Sequence, residues 1–245
     1  MDVHKPKPIH NWRDFVKEVG IIVLGVSIAL AAEQGVEWWH WRSEVAVARE
    51  ALHEEIISNN RRFYARRVAI APCLDRQFAQ VEAILAGLEA GRRPEKPTTL
   101  QPASNASISD GEWQSQRASQ VLTHFPHAEL DMMNRYYAIL PDVRAALSAE
   151  GMAWMELSIL RNPPAGITTP DLIRLRVNLS IAQRFGNQIL TLSRREINLG
   201  KRLGLGEAKP DPLLVKYFCS SLTPEEYQRW RALVEGAVEG VDGRP

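Results

Sequence analysis

Cysteine is scarce here: Cys73 and Cys219 are the only two in 245 residues. They match no zinc-ligand spacing and no C-x-x-C redox pair. They leave two open alternatives, one disulfide formed after export to an oxidising compartment or two buried thiols. Charge of one sign is lacking as well, since 30 Lys and Arg face 29 Asp and Glu for a net charge of +1. That balance gives no electrostatic footprint for nucleic acid. Catalytic punctuation is missing too, with no H-E-x-x-H, no nucleophile elbow and no dinucleotide fingerprint. Proline is absent between Pro8 and Pro72, and the last glycine of that stretch is Gly35. Nothing there interrupts a helix. No strand-length alternation of comparable extent occurs, so the predicted class is all-α.

What is present begins with an apolar run from Val19 to Ala32. Extended to Val36 it spans about 27 Å as a helix, close to the thickness of a hydrocarbon layer. Trp12 on one side and Trp38, Trp39 and Trp41 on the other suit the two aromatic belts of a bilayer. Residues 12–41 are therefore expected to form a transmembrane anchor in contact with membrane lipid. Three other fates fit the same run: a cleaved signal peptide with its A-x-A site at Ala29-Leu30-Ala31, a buried core helix, or an interfacial helix. Lys5, Lys7, Arg13 and Lys17 precede the run, and only Arg42 and Arg49 follow closely. The positive-inside rule puts residues 1–11 in the cytoplasm and residues 42–245 on the exported side, which is the periplasm of a Gram-negative cell.

Small residues recur four apart at Ser27, Ala31 and Gly35, and at Gly25 and Ala29. This spacing lets membrane helices approach closely and marks a dimer or partner face; small residues are also simply common in such helices. Beyond the run, Val45, Ala48, Leu52, Ile56, Phe63 and Ile70 keep helical spacing. One helix over 11–70 is predicted, about 90 Å long. Pro72-Cys73 is read as a turn into a second helix over 74–88. Residues 91–110, with three prolines and many Ser and Thr, read as a surface loop. Asp110 is the expected cap of a helix through Leu122, and Pro126 opens another to about Leu160 with a kink at Pro141. Thr169-Pro170-Asp171 starts a helix whose Leu172, Leu175, Leu179, Ala182, Gly186 and Ile189 hold coiled-coil spacing. It is expected to run to about Asn198 and to stop at Gly200 and Gly204. Thr223-Pro224 opens a last helix with Tyr227, Trp230, Leu233 and Val234 inward. Long antiparallel helices of this kind favour a bundle.

The remaining polar clusters have plain readings. His124 and His127 are separated by Pro126, which spoils a shared helix face for a metal. Arg61, Arg62, Arg66 and Arg67 read as a solvated face or an intramolecular salt-bridge set with Glu54 and Glu55, the other alternative being contact with an anionic partner. Gly200 to Gly206 follows a helix and lacks G-K-[ST], so it reads as a terminator rather than a phosphate loop. Glu225-Glu226 suits a helix first turn. No catalytic, cofactor or metal residue is assigned.

Trp12-Arg13-Asp14-Phe15, Glu18-Val19 and Ile21-Ile22-Val23-Leu24-Gly25-Val26 through Ile28-Ala29-Leu30 and Glu33-Gln34 resemble a known signature. It is that of uncharacterised bacterial single-span membrane proteins, in which W-R-x-F runs into I-I-V-L-G-V-x-I-A-L, and Pro72 to Arg76 is similar too. The resemblance implies an inner-membrane protein and brings no catalytic residues with it. The expectation is a non-enzymatic anchored bundle that binds an unknown protein partner or forms a homodimer. The alternatives are a ligand-sensing bundle signalling through a membrane partner and a metal-dependent enzyme.

Overall fold

The computed structural model describes residues 12–92, 100, 108–163, 166–220 and 222–232. The expected cytoplasmic tail, most of the 91–110 connection, and Leu233 and Val234 lie outside them. The described residues are helical with no strand.

A single rod dominates. Helix α1 (Trp12–Asn59) runs through one π-helical turn (Asn60–Tyr64) directly into α2 (Ala65–Glu89). At the α-helical rise this is about 115 Å. The expected break at Pro72 is absent, since Pro72 sits inside α2. A mid-helix proline removes one backbone donor at a cost of about 3 kcal/mol. Ile70 and Leu74 are buried on either side of it and Cys73 is cross-linked, so packing holds the helix together.

The remaining described residues fold against the distal two-thirds of that rod. Helix α3 (Gly111–Ala118) ends at Gln120, whose φ is +65°, and leads into a 3-10 turn over Val121–His124. The expected single helix from Pro126 to Leu160 is instead two, α4 (His127–Tyr137) and α5 (Leu140–Leu157). Pro141 lies in the first turn of α5, where a missing N–H costs nothing, so it starts a helix rather than kinking one.

Helix α6 (Thr169–Arg202) is capped by Thr168, one residue before the expected position, with Asp171 completing a capping box. It passes through Gly200 and ends at Gly204, where φ is +80° and the bonds Leu205 N–H to Gly200 O and Gly204 N–H to Lys201 O close a Schellman motif. Helix α7 (Pro212–Cys219), not foreseen in the sequence, is capped by Asp211, and residues 224–232 are helical. Tyr227 is exposed there, against the inward expectation, and stacks with Trp230, which also meets Tyr217.

Two apolar clusters form the core. One gathers Leu52, Ile56, Tyr64, Met133, Tyr136 and Leu140 around α1, α4 and the start of α5. The other gathers Leu74, Val81, Trp154, Leu157, Leu175 and Leu179 around α2, the end of α5 and the start of α6. Leu100 and Ile108 are buried, so those two positions of the expected surface loop belong to the core. Cys73 and Cys219 form a disulfide, with Cα atoms 5.3 Å apart and a separation of 146 positions in sequence. A loop of that length is worth about 5 kcal/mol in the chain-entropy account, and it ties α7 to α2.

Candidate functional site

The π turn lies midway along the buried part of the rod, where α1 passes into α2. A π turn adds one residue to the helix and rotates everything after it, and such turns recur at functional positions. Here the added residue brings a group of polar side chains to the interior. Asn60 is buried against Gly200 of α6, where a Cβ would overlap the Asn60 side-chain nitrogen. The Tyr136 hydroxyl donates to Asn60 Oδ1 at 3.2 Å. Tyr64 packs edge-on to Tyr136, and its hydroxyl finds no partner among the described residues.

Glu196 lies within this group, fully buried, and neither carboxylate oxygen accepts a hydrogen bond from the described residues. Arg195 Nε stands 3.6 Å from one of them, too far for a hydrogen bond and half in solvent. Burial pushes the Glu196 carboxyl up to about 8, with Arg195 opposing weakly. Tyr64 and Tyr136 are held well above the ordinary phenol range, first by burial, and then by Glu196 for Tyr64 and by Tyr64 and Glu196 for Tyr136.

Just before the π turn, Glu55 caps α3 in place of a local residue. It accepts from Glu112 N–H at 3.1 Å, Trp113 N–H at 3.3 Å, Ser109 Oγ at 2.7 Å and the Tyr137 hydroxyl at 2.9 Å. The expected cap, Asp110, makes no such bond. It pairs with Arg144 at 2.6 Å, and that contact holds its carboxyl below the usual range. Asn59 makes a reciprocal pair with Ser109, donating to its carbonyl and accepting from its N–H. Burial, and then Glu55, raise Tyr137.

Just after the π turn, Arg67 is buried and reaches Glu150 of α5 through two bonds of 2.5 and 3.0 Å, and the Gly186 carbonyl at 3.3 Å. Gly186 is needed for this approach, since a Cβ would stand 3.1 Å from Glu150 and 3.2 Å from Arg67. The solvated-face reading of the arginines therefore holds for Arg61 and Arg62, which are exposed, and fails for Arg67. Glu55 was read as their surface partner and is a buried cap instead. The chemistry of the whole joint is that of a clamp: fixed donors and acceptors register α3, α4, α5 and α6 on one helix.

Other residues singled out in the sequence fall elsewhere. Trp12, Trp38 and Trp39 are 75%, 62% and 69% exposed. Trp41 is half-buried, its ring stacked on His124 at 3.9 Å, so it belongs to the base of the domain. Gly25, Ser27, Ala29, Ala31 and Gly35 are exposed along α1, with nothing within 4 Å of a Cβ placed at Gly25 or Gly35. His124 stacks on Trp41 while His127 opens α4. Glu226 bonds Lys216 at 2.5 Å and completes a capping box with Thr223.

Glu150, Ser193 and Glu196 were missed, although a signal for the last two was present. Continuing the Leu175-to-Ile189 spacing for three more turns lands on Ser193, Glu196 and Gly200. Comparison with protein-family models, with curated proteins and with solved structures finds no match to this chain.

Proposed function

We propose that this is a single-span membrane protein whose helical domain is a non-enzymatic interaction module, binding a protein partner or a second copy of itself. The observation that supports it is the proximal part of the rod. An 18-residue window there has a mean hydropathy of 2.1, and none of it is buried against the rest of the chain. Ile21, Ile22, Leu24, Ile28 and Leu30 are all more than half exposed. An apolar surface on every side of a helix calls for lipid, not for one protein neighbour. In this reading residues 1–11 lie in the cytoplasm and the domain lies in the periplasm, held at a bacterial inner membrane. The resemblance to bacterial single-span proteins and the excess of lysine and arginine before the run support that orientation.

Protease added to intact spheroplasts is expected to digest the domain and leave the N-terminus, with Met1-derived sequence recovered from the fragment. Loss of residues 1–31 from the mature protein would mean a cleaved signal instead. Crosslinking in native membranes is expected to give one discrete larger species; monomer alone would sink the interaction reading. A second reading, an exported sensing bundle acting through a membrane partner, draws on the buried polar joint around Glu196.

A further inference from the structure

We propose that the corner between α3 and α4, residues 119–127, is a second membrane contact that seats the base of the domain on the phospholipid headgroups. The inference rests on the anchor reading above and adds a surface which that reading does not contain. Its starting point is the direction of two short helices. The N-terminus of α3 is held by Glu55, and α4 meets Arg49 through Glu129 and Glu55 through Tyr137. The two helices therefore form a hairpin alongside α1 with its tip pointing toward the apolar run.

The tip is firmly placed. Val121, Leu122 and Phe125 are buried, and Arg49 lies over the Phe125 ring. On the opposite side Thr123, His124, Pro126 and His127 are exposed. The His124 ring lies nearly parallel to Trp41 at 3.9 Å, which fixes the height of the tip along α1.

That height is what matters. Trp41 follows Trp38 and Trp39 by about 3–5 Å of helical rise. A headgroup layer extends about 5–8 Å beyond the hydrocarbon on each side. With Trp38 and Trp39 at the interface, a ring stacked on Trp41 falls within the headgroup layer. The surface also has suitable chemistry. Histidine rings and backbone groups of the turn, with Arg42 beside Trp38, offer donors to phosphate and glycerol oxygens. Glu37 and Glu44 of α1 share this level, so the contact is selected by depth and not by net charge.

The test uses the full-length chain in vesicles of phosphatidylethanolamine and phosphatidylglycerol. The native disulfide stays oxidised, so an environment-sensitive dye attaches to one added cysteine: Thr123→Cys at the tip, Ile28→Cys in the run, or Ala83→Cys on the rod about 60 Å beyond the level of Trp41. Ala128→Cys replaces the first variant if loss of the Thr123 side chain unsettles the turn. Spin labels on lipid headgroups are expected to quench the tip dye about threefold more than the Ala83 dye, and spin labels in the acyl chains to quench the Ile28 dye most. Tip quenching equal to that at Ala83, with Ile28 still quenched from the chains, would overturn the corner contact and leave the anchor standing. An Ile28 dye untouched by acyl-chain labels would remove the anchor and the corner together.

Discussion

Residues 12–40 and 41–89 share one helical axis, yet they meet their surroundings by opposite rules. In the first part every described face is exposed and the apolar residues go all the way round. In the second a single stripe is buried, through Val45, Leu52, Ile56, Tyr64, Ile70, Leu74, Val81 and Leu85, while Arg61, Arg62 and Glu82 stay in water. Backbone hydrogen bonding is satisfied by helix in both, so the difference lies wholly in the side chains and in what solvates them. A helix needs a stripe to join a bundle and a full apolar circumference to live in lipid. The second part also carries polar groups inside, at Glu55, Asn59, Asn60 and Arg67, and each has a partner elsewhere in the domain: Tyr137 for Glu55, Ser109 for Asn59, Tyr136 for Asn60 and Glu150 for Arg67. The first part has no such partners and none of that cost.

The largest effect that separates the two parts is expected at Arg67. Arg67→Ala strips the buried Glu150 carboxyl of its partner, and should lower the domain's unfolding free energy by about 4 kcal/mol in a urea titration. Membrane retention in the same variant should not change. A smaller and more direct comparison uses one residue type in both parts. Leu52→Ala, at a fully buried site, should cost about 3 kcal/mol of domain stability. Leu30→Ala, 52% exposed, should leave the urea midpoint where it was, and equal losses at both sites would abolish the distinction.

The subtlest effect belongs to Glu196. Its carboxyl is raised to about 8 in the folded chain from an ordinary value of 4.5, so the folded state holds a proton that the unfolded state has lost. Its contribution is fully present below the unfolded value, declines as pH rises, and is gone once pH passes about 8. Between about pH 6 and pH 8 the wild type should lose roughly 2–3 kcal/mol relative to Glu196→Gln. Parallel stability curves for the two proteins would show that this carboxyl is not held neutral.

Much of the fold was legible because its signals are local. The spacing from Leu172 to Ile189 foretold the inward face of α6: Leu175, Leu179, Ala182, Gly186 and Ile189 are buried, and Leu172, at the open end of the helix, is half-buried. Proline was the harder residue to read. Pro141 begins α5, as first-turn prolines do, Pro126 sits at the N-cap of α4 just before its first turn, and Pro72 lies inside an intact helix. The candidate joint was legible only in part. The Glu55 carboxylate and the α3 backbone it caps are 57 and 58 residues apart, and Arg67 and Glu150 are 83 apart, so no local window holds both members.

By itself the sequence determined the helical class, the apolar run and the continuous helix as far as Ile70, whereas its passage through Pro72 was decided by packing. The former follow from side-chain periodicity and the absence of breakers, which act over a turn or two. Tertiary structure decided which polar residues go inside. One extra residue in the π turn sets the rotation of α2, and that rotation turns Arg67 inward to Glu150 while Arg61 and Arg62 remain in solvent. It also decided that Trp41, written as part of a membrane belt, is the first side chain of the folded domain. A ring contact with His124, 83 residues away in the chain, has no trace in either residue's neighbourhood.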